Sequence, residues 1–280
     1  MTEKPATATP TLSIKNLSKS FAKNKVIKDI SFDVPEGSIF GFIGANGAGK
    51  TTTMKMILGL LPPDAGEIYV CGERVHFGAT STNRFIGYLP DVPEFYNYLR
   101  PAEYLELCGK IAGLPADKIT RRTRELLSLV GLSKANKKIG SFSRGMKQRL
   151  GVAQALLGEP KLLICDEPTS ALDPSGRQEI LDIFRELKGR TTIIFSTHIL
   201  SDVERVCDRV VAINHGKIAL ESTIADLKQK HKKSKSLTIE FKREVDPDAV
   251  LAALRDHNLA PAGYESAELS IEHLFLEATR

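Results

Sequence analysis

A glycine-bracketed loop, GANGAGKT at residues 44–51, constrains the fold more than any other feature of this chain. An apolar run at residues 39–43 precedes the loop, and a segment with the apolar spacing of a helix follows it at residues 52–58. Strand, loop and helix in this order make a P-loop. Glycines let the backbone curl so that successive N–H groups converge on a phosphate, in a conformation that a Cβ would resist. The loop therefore predicts a binding site for a nucleoside triphosphate.

Each part of this loop has an expected role at the triphosphate. The start of the helix contributes the positive end of its dipole, Lys50 an ammonium for the outer phosphates, and Thr51 a hydroxyl for Mg²⁺. The other loop residues that we expect to contact the nucleotide are Gly44, Ala45, Asn46, Gly47, Ala48, Gly49 and Thr52.

A pair of carboxylates follows a second short apolar run, residues 162–165. Asp166, at the end of this predicted strand, has the position from which a carboxylate holds Mg²⁺ in P-loop proteins. Glu167 follows at a place where a carboxylate can orient and deprotonate an attacking water. General-base assistance of this kind accelerates a reaction by about a hundred- to ten-thousand-fold. The pair predicts that the nucleotide is hydrolysed as well as bound.

The composition is that of an ordinary globular chain, with 42% hydrophobic and 26% charged residues. Its apolar runs are strand-sized and fall short of the roughly 20 residues that cross a membrane as a helix. The 4 cysteines form no CxxC pair, which argues for reduced thiols in a cytosolic setting and against a disulfide or zinc framework. A formal charge of +5 is mild, so no nucleic acid is expected as a partner.

Alternating strands and helices around a P-loop predict an α/β fold with a mostly parallel central sheet. Alternating apolar segments between residues 12 and 34 are typical of antiparallel strands, and residues 193–195 are expected to form the last strand. Two stretches, residues 101–131 and 143–157, have helical spacing, with Tyr104 and Ile111 on one apolar stripe. The predicted organisation is a disordered lead-in at 1–10, a large domain at 11–227, a basic linker at 228–236 and a small α+β appendage at 237–280. The appendage is expected to contain a strand at 237–241, a helix that starts near residues 246–248 and a closing helix around 271–278. The lysine-rich linker also allows contact with anionic lipid headgroups.

The stretch SFSRGMKQRL at residues 141–150 makes the interpretation specific. Ser143 can cap the helix that follows, and Gly145 allows the backbone to approach a ligand closely. The stretch resembles the signature motif of ATP-binding cassette (ABC) ATPases, LSGGQ followed by a basic helix. The resemblance extends, in the family's order, over most of residues 11–225. It implies an antiparallel β subdomain, a mostly parallel core sheet and a helical signature subdomain.

The resemblance assigns further residues by their place in the family's motifs. Phe21 corresponds to the aromatic residue that stacks on adenine, and His198 corresponds to the switch histidine that senses the γ-phosphate. Ser170 and Asp173 correspond to the D-loop at the dimer contact. The implied cofactors are ATP and Mg²⁺. The implied partner is a second copy of the chain, so that each ATP lies between one copy's P-loop and the Ser143–Gly145 signature of the other.

Three positions depart from the family's pattern. Asp91 stands where the Q-loop has glutamine, which reaches the metal or the attacking water. An aspartate is also an oxygen donor, but it is shorter and charged, so its contact with Mg²⁺ is direct only in a closed state or is made through water. Arg144 replaces the first signature glycine, and Met146 replaces the final glutamine. The basic signature resembles that of ABC-2-type exporters.

The spacing of the motifs narrows the function within the family. The short segment between Lys50 and Asp166 excludes the coiled-coil insertion of DNA-repair and chromosome-organising members. A single motif set argues against the two-cassette translation factors. The leading hypothesis is a transport ATPase, peripheral on the cytosolic face of the membrane, that energises a separate permease contacted near residues 92–115. The alternative is a soluble regulatory or ribosome-associated ABC ATPase without a membrane partner.

Overall fold

The computed structural model describes residues 10–22, 24–79, 81–233 and 246–257. The strands of these residues are β1 (Leu12–Phe21), β2 (Asn24–Val34), β3 (Ile39–Ile43), β4 (Ala65–Val70), β5 (Glu73–Arg74), β6 (Ile86–Leu89), β7 (Leu162–Asp166), β8 (Thr192–Thr197), β9 (Arg209–Asn214) and β10 (Lys217–Thr223). The helices are α1 (Lys50–Ile57), α2 (Pro101–Ile111), α3 (Ala116–Leu129), α4 (Arg144–Ala155), α5 (Pro174–Leu187), α6 (Leu200–Val206), α7 (Ile224–Lys233) and α8 (Pro247–Asp256). None of these helices is long and apolar enough to cross a membrane.

Two sheets form the framework, and they confirm the predicted antiparallel β subdomain and the predicted mostly parallel core sheet. The first sheet is antiparallel, in the order β2-β1-β4-β5. The second has the order β10-β9-β3-β8-β7-β6, and it is parallel except at the edge pair of β9 and β10. In this register Ile43 pairs with Thr197 and Asp166 pairs with Ser196. The ends of β3, β7 and β8 therefore lie side by side, which gathers the residues that follow them at one edge of the sheet.

Side-chain alternation along β3 explains how this sheet joins two cores. Phe40 and Phe42 point toward the antiparallel sheet, where both rings stack on Phe32 with centroids 5.6 and 5.5 Å apart. Ile39 and Ile43 point to the opposite face, into a core shared with the helices. Full burial of side chains such as these contributes about 1.5–3 kcal/mol each. The P-loop thus leaves a strand that is packed on both faces.

A seam of glycines brings the P-loop, β2 and the turn between β9 and β10 into close contact. A Cβ on Gly49 would overlap the Cδ1 atom of Ile27, and a Cβ on Gly216 would overlap the carbonyl of Val26. The amide of Lys28 also donates a hydrogen bond of 2.7 Å to the carbonyl of Gly216. A side chain at Gly216 is therefore excluded by backbone, and one at Gly49 would have to displace the end of Ile27 and adopt a φ of 111°.

The structure corrects several expectations about the second half of the chain. The strand at residues 193–195 is not the last one, because β9 follows and lies on the other side of β3 from β8. The signal for β9 was its apolar run at residues 210–213, which is wholly buried. The predicted linker begins inside a helix, because α7 buries Ile224 and Leu227 and continues through residues 228–233; the linker itself stays a prediction. The buried face of α2 is narrower than the predicted apolar stripe, because Ile111, at the end of the helix, is 76% exposed.

The C-terminal helix α8 matches the helix predicted to start near residues 246–248. The other predictions for the ends of the chain, which are the lead-in up to residue 9, the strand at 237–241 and the closing helix at 271–278, lie outside the described residues.

Candidate active site

The P-loop joins β3 to α1 with its middle turned toward solvent. Gly47 has a φ of 84°, and no atom lies within 4 Å of the place where its Cβ would be. Gly49, with a φ of 111°, is the N-cap of α1. The loop residues Ala45, Asn46, Gly47 and Thr51 are exposed, Thr52 is half-buried, and Gly44, Ala48, Gly49 and Lys50 are buried. The loop is therefore an accessible, left-handed turn at the N-terminus of a helix, which is a favourable site for an anion.

Lys50 points back over this loop. Its Nζ donates hydrogen bonds to the carbonyls of Gly44, at 2.7 Å, and Ala45, at 3.3 Å. The same ammonium forms an ion pair with Glu167 Oε1 at 3.0 Å, and both side chains are largely buried. The P-loop lysine and the carboxylate after β7 therefore share one charge pair.

Glu167 is held in an unusual backbone conformation. Its φ is 46°, in the left-handed region that costs a side-chain-bearing residue roughly 1–3 kcal/mol. Its amide donates to Ser196 Oγ at 3.0 Å, and that hydroxyl donates to Asp166 Oδ1 at 2.5 Å. Sequence reasoning missed Ser196, because its role depends on the pairing of β8 with β7, which places it in register with Asp166. Ser196 orients both carboxylate residues at once.

His198 lies on the other side of the Glu167 carboxylate. Its Nδ1 is 2.9 Å from Glu167 Oε2. Because a carboxylate only accepts hydrogen bonds, this contact requires a proton on Nδ1. Lys50 and His198, which are far from Glu167 in the sequence, thus contact its carboxylate, one on each oxygen.

Asp91 and Ser170 meet at the edge of this group. The Ser170 hydroxyl donates to Asp91 Oδ1 at 3.1 Å. Asp173 is the N-cap of α5, and its side chain accepts a hydrogen bond from the Gly176 amide at 3.2 Å. The loop after β6 and the loop after Glu167 are therefore in direct contact within one copy of the chain.

The signature lies at the N-terminus of α4. Ser143 caps this helix, as predicted, and its hydroxyl accepts a hydrogen bond from the Met146 amide at 3.2 Å. Gly145 has no neighbour within 4 Å of the place of its Cβ. Within the described part of the chain, no hydrogen bond or ion pair joins Ser143 or Gly145 to the P-loop. The described N-termini of α1 and α4 are thus not joined by such contacts within one copy.

The oxygen donors at this edge of the sheet suit Mg²⁺. Thr51 supplies a hydroxyl and Asp166 a carboxylate, and both are hard donors. Among the described residues no group of three or more His, Cys, Asp or Glu side chains could enclose a metal. A site with few protein ligands fits Mg²⁺, which keeps water and substrate phosphates in its coordination shell.

Asp202 is a fully buried carboxylate that sequence reasoning also missed. It lies in the first turn of α6, and its Oδ2 accepts a hydrogen bond of 2.7 Å from Thr169 in the loop after Glu167. Its Oδ1 is buried without a hydrogen bond in the described structure. Burial raises the pKa of Asp202, against the lowering effects of the Thr169 hydrogen bond and of the Arg177 and Arg205 charges. The helix after His198 is therefore tied to the loop after Glu167 by a carboxylate that is costly to ionise.

We expect Asp202→Asn to increase the free energy of unfolding more at pH 8 than at pH 4. A raised pKa means that the folded chain holds this proton to a higher pH than the unfolded chain, so ionised Asp202 lowers stability progressively above its ordinary pKa of 3.8. Asparagine keeps an acceptor for Thr169 and carries no charge at either pH. Urea unfolding of both proteins at the two pH values measures these free energies. An equal effect of the substitution at pH 4 and pH 8 would contradict the raised pKa of Asp202.

Comparisons with known proteins agree with this fold. The family model described as "ABC transporter" matches residues 27–170. The uncharacterized ABC transporter ATP-binding protein YxlF of Bacillus subtilis is 48% identical over 219 residues, which are 78% of this chain and 72% of that protein. The Nod factor export ATP-binding protein I of Ralstonia nicotianae is 38% identical, over 75% of this chain and 66% of that protein. A solved structure, described as the ATP binding subunit of an ABC transporter, has a TM-score of 0.74 and 31% identity, covering 96% of this chain and 100% of that one.

Proposed function

Because this chain belongs to the ABC transporter family, as an ATP-binding subunit that couples ATP hydrolysis to transport, we propose that it acts as a pair of copies that close on ATP and Mg²⁺ and drive export through a separate permease. The proposal rests chiefly on the group of Lys50, Glu167 and His198 beside the P-loop. It assigns the outer phosphates to Lys50 and to the loop amides. It assigns the bound base to Phe21 at the end of β1.

Glu167 is proposed as the general base for hydrolysis. Its carboxylate is oriented by the Nδ1–H of His198 on one oxygen and by Lys50 on the other. When phosphates draw the Lys50 ammonium toward themselves, Glu167 Oε1 becomes available to accept a proton from water. His198 then holds the carboxylate in place and faces the γ-phosphate. Orientation of the base and proton acceptance are the steps that this chain's own residues supply.

Mg²⁺ is the proposed metal cofactor, held by Thr51 and Asp166. When bound, it neutralises charge on the outer phosphates and lowers the barrier to attack by water. Asp91 supplies a further oxygen near these residues, either directly or through a water molecule. The hydroxyl of Ser170 keeps the Asp91 carboxylate turned toward the loop after Glu167.

The position of the signature supports a second copy of the chain as partner. The N-terminus of α4 can attract an anion and is exposed around Arg144, and no hydrogen bond or ion pair among the described residues joins Ser143 or Gly145 to the P-loop of the same copy. Ser143 and Gly145 are therefore proposed to grip the nucleotide held by the P-loop of the other copy. Ser170 and Asp173, in the loop after Glu167, are proposed to lie at the contact between the two copies.

An exposed apolar surface near residues 92–115 supports a permease partner. Val92 and Tyr98 are 63% and 66% exposed, and Tyr96 packs beside Tyr98 with ring centroids 6.0 Å apart. This surface begins directly after Asp91, so it is continuous with the candidate active site. Its exposure favours the transport subunit, placed on the cytosolic face of the membrane, over the soluble alternative. Export, rather than import, follows the basic signature and the relative named for Nod factor export.

Capture of the partner tests this proposal. We expect the Glu167→Gln variant, loaded with ATP, to recover a stoichiometric multi-span membrane protein from detergent-solubilised membranes of the native cell. A matched variant that also carries Tyr96→Glu and Tyr98→Glu should lose that protein while still binding ATP, since two carboxylates would have to be buried in the contact. Mass spectrometry identifies the proteins recovered. Recovery of ribosomes or soluble proteins alone would support the regulatory alternative instead.

A further inference from the structure

We propose that Lys19 and Asp64 form a support that positions Phe21 for stacking on the nucleotide base, and that Lys19 thereby contributes to base recognition. This inference rests on the proposed function, which places the base on Phe21. Phe21 ends β1 and is 47% exposed, so its ring has little apolar packing to hold it. The Nζ atom of Lys19 lies over this ring, 5.6 Å from its centroid.

Asp64 binds three consecutive residues of the strand that carries Phe21, namely Ser18, Lys19 and Ser20. Its Oδ1 pairs with Lys19 Nζ at 2.8 Å, and its Oδ2 accepts a hydrogen bond of 2.7 Å from the Ser20 amide. Its own amide donates to the Ser18 carbonyl at 2.9 Å. The β1–β2 ladder is irregular between Lys19 and Ser20, and Asp64 binds β1 at this point from the opposite side, next to β4. The loop before β4 therefore sets the direction in which β1 ends.

Lys19 is unusual for a lysine because it is only 8% exposed. A buried ammonium requires a partner, and the Asp64 carboxylate supplies one. The hydrogen bond from Lys19 is also the main cause that lowers the pKa of Asp64, which keeps that carboxylate ionised. The cation beneath Phe21 is thus a fixed part of the fold and not a surface charge that happens to lie near a ring.

A fixed cation on one face of an aromatic ring has two consequences for the other face. The attraction between the ammonium and the ring holds the ring in one orientation, which lowers the entropy lost when a base stacks on it. The cation also draws the π electrons toward itself, so the opposite face repels the π electrons of a stacked purine less. Lys19 is therefore a positioning residue that acts through Phe21 and not on the phosphates.

The test compares binding of ATP with binding of inorganic tripolyphosphate, both with Mg²⁺, to the purified full chain. The dissociation constant for tripolyphosphate divided by that for ATP measures how much affinity the nucleoside adds. We expect Phe21→Ala to reduce this ratio by fivefold or more, since stacking on an aromatic side chain is worth at least about that much. Lys19→Met, which keeps the length of the side chain and removes the cation, should reduce it roughly two- to fivefold. The double variant should be no weaker than Phe21→Ala alone, because Lys19 acts through the ring.

Lys15→Met is the matched control. Lys15 lies on the same strand and places its Nζ 5.2 Å from the centroid of another ring, that of Tyr69, so its loss should leave the ratio unchanged. Asp64→Asn offers a second variant that keeps an acceptor for the Ser20 amide, and it should reduce the ratio in the same direction but by less. Thermal unfolding of each variant shows whether it is folded.

The outcomes separate this inference from the proposed function. If Phe21→Ala leaves the ratio unchanged, the base does not stack on Phe21, and both the assignment of Phe21 and the role of Lys19 fail. If Phe21→Ala reduces the ratio and Lys19→Met does not, only the role of Lys19 fails. A Lys19→Met variant that loses affinity for ATP and tripolyphosphate by the same factor would also overturn it, since Lys19 would then act on the fold in general.

Discussion

The Glu167→Gln variant is expected to bind ATP normally and to hydrolyse it about a hundred- to ten-thousand-fold more slowly. Glutamine has the same shape, and its amide oxygen can still accept the hydrogen bond from His198 Nδ1. The backbone contact of residue 167 with Ser196 is also kept, so the loop retains its conformation. What is lost is the ability to take a proton from water. The ion pair with Lys50 is lost as well, which leaves that ammonium free for the phosphates.

Single-turnover phosphate release measures the loss of hydrolysis, and size-exclusion chromatography with ATP measures the expected accumulation of a dimer. Glu186→Gln, at an exposed position on α5, is the matched control and should behave as the unmodified protein. Normal turnover by Glu167→Gln would remove this residue as the general base. Slow hydrolysis without a dimer would leave the base assignment intact but contradict the proposed pairing of two copies.

Lys50→Ala is expected to weaken ATP binding by roughly ten- to a hundredfold, from the loss of hydrogen bonds between a buried ammonium and charged phosphates. A second effect acts in the same direction. The carboxylate of Glu167 loses its positive partner and then faces the phosphates as an uncompensated negative charge. The double variant Lys50→Ala/Glu167→Gln should therefore recover part of the lost affinity, although it removes one more polar group.

Equilibrium binding of ATP with Mg²⁺ gives these affinities. Lys55→Ala is the control, because Lys55 lies on the same helix but is exposed and in its last turn. Thermal unfolding shows whether each variant remains folded. Tight ATP binding by Lys50→Ala would undercut the assignment of the P-loop as the phosphate site.

Much of this architecture could be predicted because its signals are local. The P-loop, the carboxylates Asp166 and Glu167 and the cap at Ser143 each depend on residues within one turn or one strand end. The class of the sheet followed from the alternation of strands and helices. The same local reasoning missed one strand, since the apolar run at residues 210–213 was not recognised as strand β9 of the parallel sheet.

The contacts that depend on pairing of distant strands could not be predicted from single motifs. Ser196 reaches Asp166 only because β7 and β8 run parallel in one register. The hydrogen bond between Ser170 and Asp91 depends on where two loops end in space, and no spacing in the sequence specifies it. A buried polar residue such as Asp202 is likewise explained by what packs around it, and not by its neighbours in the chain.

The glycine seam of Gly49 and Gly216 limits which ligands can reach both Phe21 and the P-loop. Both glycines bring backbone against β2, which forms a hairpin with β1, and β1 ends at Phe21. The backbone path from the P-loop through β2 to the end of β1 is therefore fixed by close packing at these glycines. With the base on Phe21 and the phosphates on the P-loop, as proposed, a ligand whose base and phosphates are spaced differently from those of a nucleotide would reach only one of these two places.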